Sequence, residues 1–122
     1  MAPPVRNPIP ARLVMQIGDS RVRTVSVPLR DRLVVGRATS SGEQPDLDFS
    51  GLSALEHGVS RLHAVLTYED EVLYVEDLNS SNGTRINGFQ IKPARKYRLR
   101  NNDELEFGRL RVAVRVVHVG IG

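Results

Sequence analysis

An all-β sandwich or barrel is the fold class that this 122-residue sequence predicts, and three observations lead there. About ten or eleven short apolar runs follow one another at regular spacing. Gly, Pro and Asn, residues suited to tight turns, punctuate them. No stretch shows the apolar period of a convincing amphipathic helix, and no internal repeat is found.

Taken in order, Met1 to Pro10 holds four of the seven prolines and no periodicity, and reads as a flexible tail or linker. The domain is expected from residue 11 to 119, with 120–122 a C-terminal tail. Strands are expected at Leu13 to Ile17, Val22 to Val27 and Arg32 to Val35, with Gly18-Asp19 as a turn and Pro28 as a strand end. The second of these alternates only loosely, but its β-branched content suits a strand better than a helix. Residues 38–57 form the longest irregular stretch, with a short apolar piece, Leu47 to Phe49, in the middle. Strands resume at 63–68 and 72–76 around the polar turn Glu69-Asp70-Glu71. Further runs follow at Phe89 to Ile91, Tyr97 to Leu99, Asp103 to Phe107 and Leu110 to Val117. In the last two, Leu105 and Phe107 share a face, and Val112, Val114 and Val116 lie opposite Arg111, Ala113 and Arg115.

Residues 77–88, Asp-Leu-Asn-Ser-Ser-Asn-Gly-Thr-Arg-Ile-Asn-Gly, read as a specified loop between strands, because the short polar side chains bond nearby backbone and glycine follows asparagine twice. Gly36-Arg37 closes one apolar run, and Gly58-Val59-Ser60-Arg61-Leu62-His63 opens another. If these three strand ends meet, they make a compact site rich in hydrogen-bond donors.

Composition narrows the possibilities. Forty per cent hydrophobic and 25% charged residues suit an ordered globule of one domain. The absence of cysteine excludes a disulfide framework and thiolate metal sites, and suits a reducing cytoplasm. No apolar run reaches the roughly 18 residues of a membrane span, and the start lacks a signal-peptide core. A cytoplasmic monomer without a membrane association is therefore expected. The net charge of +3 is scattered, and three Tyr and three Phe offer little stacking surface, so a nucleic-acid groove is disfavoured.

Gly36-Arg37, Ser60-Arg61-Leu62-His63, Asp77-Leu78, Ser81-Asn82-Gly83-Thr84 and Asn87-Gly88, in this order and spacing, resemble the forkhead-associated (FHA) domain over roughly residues 11–117. The resemblance implies an eleven-stranded β-sandwich of two twisted, mainly antiparallel sheets with ligand loops at one end. It implies binding of phosphothreonine peptides, without catalytic residues, cofactor or metal. Arg37, Ser60, Arg61 and Ser81 fall on phosphate-binding positions, and Asn82 and Asn87 on positions that contact the peptide backbone. Gly36, His63, Gly83 and Thr84 fall on structural positions of the loops. The implied partner is a phosphothreonine-containing protein, either a Ser/Thr kinase or its substrate, or a phosphorylated segment of the parent chain.

The residue chemistry stands beside this. Arg37 offers a planar fork matched to two phosphate oxygens, although an ion pair with an acidic neighbour would use it equally well. Ser60 can donate to phosphate or cap a turn, and an amide such as Asn82 presents a donor and an acceptor to an extended chain. Asn87 could equally shape its turn with Gly88. His63 begins an apolar strand with no ligand partner at metal spacing, as a buried histidine that pins a loop would. His57 and His118 carry no signal. Three or four charge-assisted hydrogen bonds of roughly 1.5–3 kcal/mol each, less the ordering of a peptide, give about micromolar binding.

Two positions depart from the family pattern. Asn101-Asn102-Asp103 replaces a common Gly-Asp turn, and Gly58 has no side chain where some relatives place a cation, so selectivity is expected from the 38–57 loop or Arg85. Two non-enzymatic alternatives remain open: a phosphate-independent interaction domain using a sheet face, and, more weakly, a nucleic-acid-binding β domain. A hydrolase is disfavoured, because no acid orients His63 toward Ser60.

Overall fold

The computed structural model describes residues 11–19 and 21–118. The expected tails at 1–10 and 120–122 lie outside the described residues. Eleven strands run in chain order: β1 (Ala11–Ile17), β2 (Arg23–Pro28), β3 (Arg32–Gly36), β4 (Leu47–Asp48), β5 (Ala64–Glu69), β6 (Val72–Asp77), β7 (Thr84–Ile86), β8 (Phe89–Gln90), β9 (Lys96–Leu99), β10 (Asp103–Phe107) and β11 (Leu110–His118). They form two sheets, β2-β1-β11-β10-β7-β8 and β4-β3-β5-β6-β9. All pairs are antiparallel except β3 with β4.

The core lies between the sheets and is written in the strand alternation. Ile17 pairs with Val112 and Met15 with Val114 across β1 and β11, and Leu105 pairs with Val112 across β10 and β11. Every one of these side chains is buried. From the other sheet, Leu33, Val35, Leu66 and Val75 meet them. Full burial of such a side chain stabilises by roughly 1.5–3 kcal/mol, and alternation sends all of them to one face at once. β2 alternates loosely because it is an edge strand, none of whose residues is fully buried.

Three local expectations change. The loop expected to run from 77 to 88 is shorter, because Thr84–Ile86 is a strand paired with β10. Three residues are too few to show a period, and the burial of Thr84 depends on neighbours distant in the chain. Asn87 and Gly88, with φ of 50° and 83°, then make a two-residue hairpin turn into β8. Ile91, expected in that strand, follows its end. The Leu47 to Phe49 piece, read as part of an irregular stretch, contributes β4, which adds to β3 in parallel and leads into a single 3₁₀ turn, Ser50–Leu52. Among the described residues no helix is long and apolar enough to cross a membrane.

Candidate functional site

The ends of β3, β5 and β6 meet at one end of the sandwich, and the loops that extend them are fastened by hydrogen bonds made between loops. Gly36 comes first because it permits the contact. A Cβ there would lie 2.0 Å from the Arg61 carbonyl oxygen, so only glycine lets β3 approach the 58–63 loop. The Arg37 N–H uses that approach, donating to the Ser60 and Arg61 carbonyls at 3.2 and 3.0 Å.

His63 joins the second and third loops. It is fully buried and packs edge-on against Phe107. Its Nδ1 accepts the Ser60 N–H at 3.0 Å, which places the proton on Nε2, and Nε2 donates to the Gly83 carbonyl at 2.9 Å. Burial pushes the imidazole below its usual value, with the Gly83 carbonyl and the charge of Asp77 opposing. The neutral ring is the form that fits, since Ser60 N–H needs an acceptor.

Asp77 organises the third loop, and this role was missed in the sequence. Its buried carboxylate accepts from the hydroxyls of Ser80 and Thr84 at 2.5 and 2.6 Å and from the Ser80 N–H at 3.1 Å. The Ser80 hydroxyl in turn accepts the Gly83 N–H at 3.0 Å. Hydroxyl residues three and seven positions after Asp77 are the signal that could have found it. Ser60 closes the ring from the other side, its Oγ accepting the Ser81 N–H at 3.1 Å. That bond uses an oxygen lone pair and leaves the hydroxyl proton to be donated elsewhere.

These fastenings place Arg37, Ser60, Arg61 and Ser81 on the wall of one cleft of about 570 Å³. The Arg37 Nε donates to the Val59 carbonyl at 3.1 Å, which fixes the plane of the guanidinium. Arg37 and Arg61 are in no ion pair among the described residues. Among the described residues the one carboxylate in the lining is Glu43, so two arginines against one glutamate leave the cleft with a net positive charge. The oriented Arg37 fork and the Arg61 cation beside the hydroxyls of Ser60 and Ser81 suit a tetrahedral oxyanion, while Ser80, also in the lining, already donates its hydroxyl to Asp77.

The two asparagines diverge. Asn82 is exposed and follows Ser81 of the cleft without itself being part of the lining; its Nδ2 donates 2.9 Å to the Gly58 carbonyl, and its Oδ1 accepts from none of the described residues. Asn87 does not line the cleft. Its Nδ2 donates to Asp103 and its Oδ1 accepts the Glu104 N–H, at 3.0 and 2.9 Å, so both ends of the amide serve the β7–β10 contact. Gly83 contributes backbone to the His63 bond, and Thr84 is buried on Asp77. Arg85 is on β7, paired with Glu106 and Gln90, and is not part of the cleft lining. Among the described residues no group of three or more His, Asp or Glu is placed to hold a metal.

The comparisons with known proteins converge on one family. The model described as FHA domain matches residues 33–108. Protein FraH of Nostoc sp. is 43% identical over 65 residues, which is 53% of this chain and 22% of that protein. The chain thus spans about a fifth of the length of that relative. Full-length yeast Pml1p shares the fold, with a TM-score of 0.70 at 22% identity over 88% of this chain and 83% of that one. A domain solved in a structural and functional study of phosphothreonine-dependent FHA domain interactions superposes with a TM-score of 0.66. Its identity is 26% over 89% of this chain and 99% of that one. With the family model covering more than half of its length, the chain belongs to the FHA domain family, a family of interaction modules known for phosphothreonine-dependent protein interactions.

Proposed function

We propose that this domain is a reader of phosphothreonine peptides, holding the phosphate with Arg37, Ser60, Arg61 and Ser81 and the adjoining peptide backbone with Asn82. The observation that carries the reading is the cleft itself: Arg37 and Arg61, in no ion pair among the described residues, share its lining with Ser60, Ser80 and Ser81. A phosphate monoester carries about −1.5 to −2 charges at neutral pH and has three acceptor oxygens to match them. Asn82 supports the backbone role because Gly58 fixes the orientation of its amide while Oδ1 is available to a peptide N–H. Asn87, with its amide already engaged, is left out of this assignment.

Such a reader acts as a monomer in the cytoplasm, recruiting a protein phosphorylated by a Ser/Thr kinase or a phosphorylated segment of its own parent chain. Calorimetric titration with phosphothreonine, phosphoserine and unphosphorylated peptide pools tests the reading. About micromolar binding of the phosphothreonine pool is expected, with a loss of at least about 30-fold in Arg37→Ala, the equivalent of roughly 2 kcal/mol for a charge-assisted bond. Equal binding of all three pools by a folded protein, unaffected by the substitution, would reject the cleft and turn attention to the sheet faces.

A further inference from the structure

A second cavity, of about 400 Å³, has His57 and the turn residues Gly51, Leu52 and Ser53 in its lining. Its wall carries Arg21 and Arg23 at the β1–β2 connection and Arg109 and Arg111 at the β10–β11 turn, with His57 beside them. Among the described residues the one carboxylate in that lining is Asp19, which faces Arg111 at 3.4 Å, with Glu104 near the same nitrogen at 3.7 Å. Arg111 is therefore offset. Arg21, Arg23 and Arg109 are in no ion pair among the described residues.

The cavity and the Arg37 cleft share no lining residue, but His57 of the one and Ser60 of the other are joined by Gly58-Val59. Asn82 Nδ2 and Arg109 Nη1 lie 2.5 and 3.7 Å from the point a Cβ on Gly58 would occupy, so they flank the same backbone unit. Arg109 is held there by its N–H on the His57 carbonyl, at 2.8 Å, and by Nη2 on the Glu56 carbonyl. Donors thus run from Ser60 and Ser81 through Asn82 to Arg109, and beyond it to Arg21 and Arg23. Like charges gathered on a concave wall focus a positive potential on whatever lies in it. Among the described residues no Phe, Tyr or Trp lines the cavity and His57 is its one aromatic ring, so it lacks the row of stacking platforms that single-stranded nucleic acid uses.

We infer that this basic cavity is a second subsite, which takes Asp or Glu side chains of the same peptide whose phosphothreonine occupies the Arg37 cleft. The inference rests on the reading of that cleft as a phosphothreonine site. It supplies a selectivity for acidic segments that Gly58, lacking a side chain, does not.

The test uses phosphothreonine peptides that differ only in a run of acidic or neutral residues placed before or after the phosphothreonine. The run is moved stepwise, since an extended chain advances about 3.3–3.6 Å per residue. At low salt one acidic placement is expected to tighten binding about 3- to 10-fold, as two or three exposed ion pairs would. That gain is expected to vanish in Arg21→Gln/Arg23→Gln, while the neutral-flanked peptide keeps its affinity within about twofold. Both arginines are exposed, and an unchanged melting curve establishes that the variant is folded. A gain at no placement, or one that survives the double substitution, overturns the inference and leaves the phosphothreonine reading standing. Failure of wild-type protein to bind the neutral-flanked phosphopeptide removes both. A single-stranded oligonucleotide that binds more tightly than the acidic phosphopeptide, and loses that binding in the variant, would reassign the cavity to nucleic acid.

Discussion

At the residue scale, two positions at the site have little freedom. Gly36→Ala would drive a methyl into the Arg61 carbonyl at 2.0 Å. Because both partners are backbone, relief requires the 58–63 loop to move away from β3. A loss of about 2 kcal/mol or more is expected in urea unfolding, together with loss of phosphopeptide binding. His63 gives a pH dependence of defined sign. Its folded-state value lies below the ordinary 6.5, so the unfolded chain binds the proton more readily and stability falls as pH drops below about 6.5. A protonated ring would also turn Nδ1 into a donor against the Ser60 N–H. Asp48, whose carboxyl is lowered by the Ala38 N–H, loses its contribution only at more acid pH, below the usual carboxylate range. Unfolding between pH 7.5 and 5 without ligand therefore reads the His63 effect clear of Asp48, and a flat profile over that range would contradict the buried neutral ring.

At the element scale, what holds the site is the join between strands and the loops they carry. β6 ends in Asp77, β7 begins at Thr84, and the carboxylate of the first receives the hydroxyl of the second. Asp77→Ala removes the shared acceptor of three hydrogen bonds and leaves the Thr84 hydroxyl buried without it. A cost of about 2–4 kcal/mol is expected, measured by chemical denaturation. Amide exchange should quicken in residues 78–83 before the β10–β11 hairpin is affected. If exchange rises uniformly, Asp77 supports the whole sandwich rather than this loop. Asn87 works at the same scale, because its amide ties the β7–β8 turn to β10.

At the scale of the whole molecule the net charge is only +3, and arginines are spread over both sheets, but Arg37 and Arg61 in one cavity and Arg21, Arg23 and Arg109 in the other are in no ion pair among the described residues. The core between the sheets is apolar, among the described residues, apart from His63, Asp77 and Thr84. Phosphopeptide binding is accordingly expected to weaken several-fold between about 0.05 and 0.5 M salt, as the Debye length falls from over 10 Å toward 4 Å. The melting temperature should change little over the same range, since stability rests on buried apolar faces. Parallel titration and melting series check this; a salt-independent affinity would argue against a charged ligand.

The sequence by itself determined the class of fold, because period-two alternation in runs such as 103–107 and 110–117 dictates which side chains are buried together. It also supplied the donors, since Arg37 and Ser60 carry their chemistry wherever the chain places them. Only the tertiary structure decided which donors share a wall, that Asn87 is engaged elsewhere, that Asp77 anchors a loop, and that four arginines from two distant turns line one cavity. These facts depend on contacts such as Ser60 with Ser81 and His63 with Gly83, made between residues about twenty positions apart. Local pattern reports which face a residue occupies; the pairing of strands sets what it meets there.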